Sequence, residues 1–323
     1  MIFLVALLGS IGATSYYYVQ TNKVVTEQVY SHLESVVQSR GNHIETFLNE
    51  KKILAENLAL IGKVETLLLD PSNANILAVE ERLQKTVDSV ESILSIGVID
   101  KNNILISSTK SELIGLDYSE TIFFKGNPER EAKIDFIDDP VFGVILGIVS
   151  PVYHSTTKEY LGMVGIALDT KELNDITLDK TGIGETGETY LINKDNYALT
   201  PLLFKEDVIL EFKVHSINSI NCLNALNNPV RKEGEHIGHK EVETFLDYRS
   251  EKVIGAHYPI QETQWCLLAE MDEEEILTEQ RELFQRSAIL IIIIVTFVIT
   301  LIGFFIGRYL DNIVVLRKGK KSL

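Results

Sequence analysis

The sequence predicts an α+β protein: a long N-terminal stalk helix and two tandem antiparallel-sheet modules, flanked by two transmembrane helices. Three observations carry this. Residues 288–307, AILIIIIVTFVITLIGFFIG, run for 20 residues without a charge; as a helix they would be about 30 Å long, the thickness of a hydrocarbon core. From about residue 21 to residue 69, apolar residues recur at intervals near three and four, the period of one helix face. From residue 92 the pattern changes to short apolar runs with period two, separated by polar turns, as strands require.

Taken in order, residues 2–19 carry no charge and end in Tyr16, Tyr17 and Tyr18, which suit an interfacial aromatic belt. We read them as a first span. A cleaved signal peptide is the competing reading, but it would want a basic start and only Met1 precedes Ile2, which also suggests a chain trimmed at its beginning. In the stalk, Val25, Val29, Leu33, Val36, Ile44, Phe47, Leu54, Leu58 and Ile61 line one face. Gly41 alone weakens the helix before Gly62, and Pro71-Ser72-Asn73 ends it. A second amphipathic helix, about residues 75–90, presents Leu77, Val79, Leu83, Val87 and Val90.

Strands are expected at 92–99 and 103–107 as a hairpin, then at 132–137, 143–153 and 160–169, with a loop or short helix over 111–127. A short helix at 170–176, with Thr170 as a possible cap, closes this module. A similar order follows: strands at 188–193 and 197–200, a helix at 218–226, and a meander at 240–248, 252–259 and 264–271. The polar helix 272–286 has an acidic first turn that suits the positive end of the helix dipole, and it leads into the second span. The predicted organisation is a first span (1–19), stalk and second helix (20–91), first module (92–178), second module (179–271), juxtamembrane helix (272–287), second span (288–307) and basic tail (308–323).

Lys and Arg number 30 against 46 Asp and Glu, a net charge of −16. That balance argues against a nucleic-acid partner, which would call for a basic face. Residues 308–323 hold five basic residues and one acidic residue, so the tail reads as cytoplasmic by the positive-inside rule. Two spans then place both termini inside and the acidic residues 20–287 outside, in a cell (inner) membrane.

Two cysteines exclude a disulfide-dense scaffold and a four-cysteine zinc site. Outside the cytoplasm, Cys222 and Cys266 are expected to pair, two buried thiols being the alternative. The G-x-G-x-x-G within residues 181–187 has a helix-like segment before it and a strand after it, the inverse of a dinucleotide fingerprint. It reads as a turn. His236-x-x-His239 with Glu233, Glu235 and Glu241 reads as a solvated polar turn rather than a metal site. No catalytic grouping, metal or cofactor is expected.

The most site-like region is residues 112–139, where aromatics (Tyr118, Phe123, Phe124, Phe136) and acids (Asp117, Asp135, Asp138, Asp139) alternate. Aromatic walls with a few carboxylates fit a small polar or cationic ligand. Core packing by the aromatics and turn capping by the aspartates is the competing reading. The ligand-binding candidates are Tyr118, Phe123, Phe124, Asp135, Asp139, Tyr153 and Asp169.

The chain resembles the double Cache sensor domains of bacterial and archaeal transmembrane receptors. The resemblance rests on residues 115–124 (GLDYSETIFF), 139–153 (DPVFGVILGIVSPVY), 162–173 (GMVGIALDTKEL), 181–193 (TGIGETGETYLIN), 245–255 (FLDYRSEKVIG) and 265–274 (WCLLAEMDEE), in the family's order. It implies two PAS-like modules on a long helix, a small-molecule ligand in the membrane-distal one, a homodimer, and a cytoplasmic signalling module or partner of the histidine kinase, chemotaxis or cyclic-dinucleotide kind. The family's amino-acid-binding branch has an Arg and a Trp where residues 119–124 have neither, and a Tyr where Ile137 stands; Asp139 and Asp169 match. Without that Arg no clamp for an α-carboxylate is evident, and the ligand is left open. The rival readings are a membrane-anchored extracellular hydrolase and a protein-binding adhesion or assembly module.

Overall fold

The computed structural model describes residues 2–125, 127, 130–227 and 244–319, and the backbone alone for residues 2–8, 10, 11, 279 and 310–319. His236, His239 and their neighbouring acids lie outside the described residues. The chain divides into two units, His32–Met271 and a second made of Met1–Ser31 with Asp272–Leu323.

Helix α1 (Ile2–Ala59) supplies residues to both units. Within His32–Met271 it buries Leu33, Val37, Ile44, Phe47, Leu48, Ala55 and Leu58, the stripe that the three-to-four spacing predicts. Gly41 sits on that stripe because the Tyr258 ring lies against it; a Cβ there would collide with the ring. Arg40 is buried beside it and donates to Thr189 Oγ1 (2.7 Å) and to the Asp179 carbonyl (2.6 Å).

The predicted single stalk helix breaks at Leu60 and Ile61. Gly62 weakens the helix at that point, and Ile61 is extended (ψ 118°). Helix α2 (Gly62–Leu69) starts afresh and buries Val64 and Leu67. Helix α3 (Asn73–Val87) follows the turn at Pro71 and buries Val79 and Leu83.

The first sheet contains β1 (Ile93–Asp100), β2 (Leu105–Ser108), β3 (Lys133–Asp139), β4 (Gly143–Tyr153) and β5 (Tyr160–Leu168), in the order β2-β1-β5-β4-β3 with antiparallel pairing throughout. Helices α2 and α3 pack on it. Within the segment expected as a loop or short helix, residues 111–125 fold with a short 3-10 turn (Ser111–Leu113) and a single-turn helix, α4 (Ile122–Lys125). Helix α5 (Lys171–Leu178) follows β5; Thr170 stands at its N-cap but its side chain makes no capping bond.

The second sheet has the order β6-β9-β8-β7, formed by β6 (Glu188–Ile192), β7 (Phe245–Leu246), β8 (Lys252–Ile260) and β9 (Trp265–Asp272). Helix α6 (Ile217–Asn227) packs on β8. Cys222 on α6 and Cys266 on β9 form a disulfide with Cα atoms 6.0 Å apart, inside a cluster with Tyr190, Ile192, Val214 and Leu268. The expected strand at 197–200 is absent as such: Tyr197 and Ala198 make isolated bridges to Lys213 and Ile192, because the chain turns sharply at Asn196 (φ 68°) and Leu210 (φ 60°). The glycine motif at 181–187 is a turn, with Gly182 and Gly184 at positive φ.

In the other unit, helix α7 (Glu273–Gly319) is one unbroken helix whose first turn carries Glu273, Glu274 and Glu275. Its segment Glu273–Tyr309 is long and apolar enough to cross a membrane, the one such helix among the described residues. Residues 2–19, expected as a first span, are helical; only the backbone of 2–8, 10 and 11 is described, so the span is neither supported nor contradicted there. Tyr18 and Phe284 stack at 4.5 Å between ring centroids in this unit.

Candidate functional site: a cavity on the first sheet

Alternation along a strand puts every second side chain on the same face. On one face of the first sheet those positions are small. Gly97 pairs with Gly165, which pairs with Val149; Ser95 pairs with Ala167, which pairs with Gly147. All of these residues border one cavity, with ≈ 50 Å³ open to water centres, room for a few waters. Leu113, Tyr118 and Phe123, from the segment between β2 and β3, form its roof, and Ile137 and Asp139 of β3 its side.

The glycines set its shape. A Cβ on Gly147 would come 2.6 Å from Phe123 Cζ, and one on Gly97 2.6 Å from Leu105 Cδ1. At Gly165 a Cβ would meet nothing nearer than 3.5 Å. The polar groups are few. The Tyr118 hydroxyl donates to Asp139 Oδ2 (3.3 Å), while Asp139 Oδ1 accepts the backbone N–H groups of Val141 (2.9 Å) and Phe142 (3.1 Å). Asp139 therefore both caps the turn after β3 and borders the cavity. Burial, followed by the Asp139 charge, pushes the Tyr118 phenol well above its ordinary value, so it stays a neutral donor. Among the described residues, Asp139 is the one charged residue that borders the cavity.

The structure thus brings together Tyr118, Phe123 and Asp139 of the seven candidates. Phe124 is buried in the adjoining cluster with Leu105, Leu113 and Met163 rather than on the cavity wall. Asp135 faces a separate polar cleft with Lys194 and Trp265, and burial pushes its carboxyl upward. Tyr153 is exposed at the end of β4, its ring 6.1 Å from that of Tyr160. Asp169 stands just past β5, where its Oδ1 accepts the Lys171 N–H at the start of α5.

Two features were not anticipated. One is the floor of small residues, legible in hindsight as Ser95-x-Gly97 and Gly165-x-Ala167 within strands, where bulky residues are the rule. The other is Arg130, whose guanidinium lies 5.3 Å from the Phe124 ring centroid and 5.4 Å from that of Tyr160. Its Nη1 is buried without a hydrogen-bond partner, as is the Tyr160 hydroxyl.

A family model described as a Cache domain (dCache_1) matches residues 19–280. The chain belongs to the double Cache family. No curated protein sequence matches it. Among solved structures, the sensor domain of the V. cholerae histidine kinase DctB aligns with a TM-score of 0.58 at 13% identity, over 76% of this chain and 98% of that one. The ligand-binding domain of the Pseudomonas aeruginosa PAO1 chemoreceptor PctC, in complex with GABA, aligns at 0.52 and 17% identity, over 75% and 99%. The ligand-binding domain of the Pseudomonas fluorescens chemoreceptor CtaA, in complex with L-serine, aligns at 0.52 and 15%, over 77% and 99%. At such identities the likeness is one of fold. Cache membership and this fold favour the sensor reading over the hydrolase and adhesion readings.

Proposed function

We propose that this double Cache chain is the extracytoplasmic sensing part of a membrane receptor, and that the cavity on the first sheet takes a small organic cation. Asp139 carries the proposal: among the described residues it is the charged one bordering a cavity whose other walls are apolar or aromatic apart from Ser95 and Ser108. A protonated amine would meet the Asp139 carboxylate and the Tyr118 oxygen, with its carbon skeleton on the glycine floor and against Phe123. GABA and L-serine, bound by the neighbours described above, also bear a carboxylate. Among the described residues the cavity has no lining cation; Arg130 lies behind its wall, against Phe124 and Tyr160.

The reading divides the chain as the sequence suggests: modules at 92–178 and 179–271, a juxtamembrane helix at 272–287, spans at 2–19 and 288–307, and a basic cytoplasmic tail. The partners it requires are the lipid bilayer, a second copy of the chain and a cytoplasmic output module. It assigns no catalytic step to this chain. Ligand binding would favour one packing of the first module, and β9, which runs directly into α7, would carry that bias toward the membrane.

The test is thermal unfolding of the full chain in nanodiscs, screened against simple amines, amino acids and dicarboxylates. A ligand at 100 times its Kd stabilises by about 2.7 kcal/mol. Amines should stabilise, and Asp139→Asn should weaken binding about tenfold or more, the loss of a charged hydrogen bond. If amino acids bind tightly and Arg130→Met abolishes that binding alone, the ligand carries a carboxylate. Full affinity in Asp139→Asn would sink the cation reading.

A further inference from the structure

A second group of polar residues lies inside the second sheet, well away from the cavity in sequence and in fold. Glu188 opens β6, Glu270 is its cross-strand partner on β9, and Asp247 follows β7. All three are buried, and one oxygen from each carboxylate lies within 4.8 Å of the other two. Oxygen ligands of a hard cation, each 2.0–2.6 Å from the ion, span about that distance.

Most of the oxygens are engaged. Glu270 Oε2 accepts the Tyr190 hydroxyl (2.9 Å), and Oε1 accepts Ser216 Oγ and Asn218 Nδ2 (both 3.3 Å). Asp247 Oδ1 accepts the N–H groups of Arg249 (2.7 Å) and Glu251 (3.0 Å), and Oδ2 accepts Arg249 Nε (2.6 Å). Glu188 Oε2 accepts the Leu203 N–H (2.8 Å). Glu188 Oε1 has no partner, although the residue is only 5% exposed. A buried carboxylate oxygen left bare is costly, and a native interior supplies it with a donor or an ion.

Among the described residues the carboxylates of this group outnumber the cations paired with them. Arg249 pairs with Asp247 and is held by the Phe204 ring, 3.9 Å from its centroid, which leaves Glu188 and Glu270 facing each other across the strands. Burial pushes both carboxyls upward, Glu270 to about 7. We infer that Glu188, Asp247 and Glu270 bind one divalent hard cation, calcium or magnesium. The donors are all oxygen, which favours these ions over zinc or copper. Their formal charge with Arg249 is −2, which a divalent ion neutralises, and Glu188 Oε1, with the Tyr248 hydroxyl beside it, still has a lone pair to offer.

The test uses the full chain in nanodiscs, stripped with chelator and then given CaCl₂, MgCl₂ or MnCl₂ against NaCl of equal ionic strength. The expected result is a rise in Tm of about 5–10 °C at 100 times the Kd of the bound ion. Mn²⁺ bound at one ion per chain, read by electron paramagnetic resonance, should be displaced by the preferred ion. Glu188→Gln should abolish both effects. If that variant does not fold, Glu270→Gln is read in the same way. The proposal is overturned if no divalent ion raises Tm beyond NaCl, if Glu188→Gln responds as the parent does, or if acidification alone gives the whole stabilisation, which would make the occupant a proton.

Discussion

The two sheets of residues 32–271 handle the same problem in opposite ways. In the first, one face is floored by Ser95, Gly97, Gly147, Gly165 and Ala167, and space remains above it. In the second, the interior is filled: Tyr190, Leu268, Val214 and a disulfide pack together, and Glu270 enters bonded to Tyr190, Ser216 and Asn218. An unfilled apolar space loses contacts on one side, so it persists where something else is to occupy it. A filled, cross-linked interior resists deformation and passes displacement on. On the proposed reading, the contrast fits reception by the first module and transmission by the second.

The largest effect that bears on this contrast is removal of the cross-link. Cys222→Ser with Cys266→Ser frees a loop spanning a sequence separation of 44 and should cost about 4 kcal/mol on the chain-entropy model. If the modules divide the work as argued, ligand affinity at the first sheet should be unchanged below the lowered Tm. Denaturant unfolding and ligand titration on the same sample check both halves. A parallel loss of affinity would show that the second interior shapes the cavity.

Next comes the anchor of α1. Arg40 is buried, and its desolvated guanidinium is pushed below its ordinary value despite Asp179 nearby. Asp179 is itself half exposed, so the ion pair contributes little and the bonds to Thr189 and to the Asp179 carbonyl dominate. Arg40→Met should destabilise by about 2 kcal/mol, the range for hydrogen bonds to a charged group. Hydrogen exchange should show the loss at β6 and 179–181 before it appears in the first sheet. A smaller change, about 1 kcal/mol, is expected for Tyr118→Phe, which removes one hydrogen bond and leaves the Asp139 turn cap intact; urea denaturation measures it.

How much of this was legible follows from which signals are periodic. Apolar spacing located α1, α3 and the strands of the first sheet to within a few residues, because burial imposes the period. The break at Leu60 escaped because the apolar stripe continues through it, and only Gly62 marks the place. Tyr118, Phe123 and Asp139, candidates because aromatics and acids advertise themselves, border the cavity on the first sheet. Asp135, Tyr153 and Asp169 advertise equally and were drawn elsewhere: Asp169 to the start of α5, Tyr153 to the surface, Asp135 to another cleft. Glu188, Asp247 and Glu270 are far apart in sequence, and nothing but strand pairing joins them.

The smallest effect is the sharpest test of the floor. Gly165 has ordinary backbone angles and a clear 3.5 Å around the position a Cβ would take, with Ile99 Cδ1 and Val149 Cγ1, from two cavity-lining residues, among its nearest neighbours. A methyl there should therefore enter the cavity without strain. Gly165→Ala should stabilise the free protein by about 0.4–1 kcal/mol, because it narrows the unfolded ensemble. It should also weaken ligand binding, because the same methyl takes up room that the ligand needs. Gly147→Ala offers the control: its Cβ meets the Phe123 ring at 2.6 Å, so it should destabilise the protein as well as weaken binding. Opposite signs in stability with the same sign in affinity would tie the glycines to occupancy. Unchanged affinity in Gly165→Ala, with its stability raised, would leave the cavity a packing defect and move the ligand elsewhere.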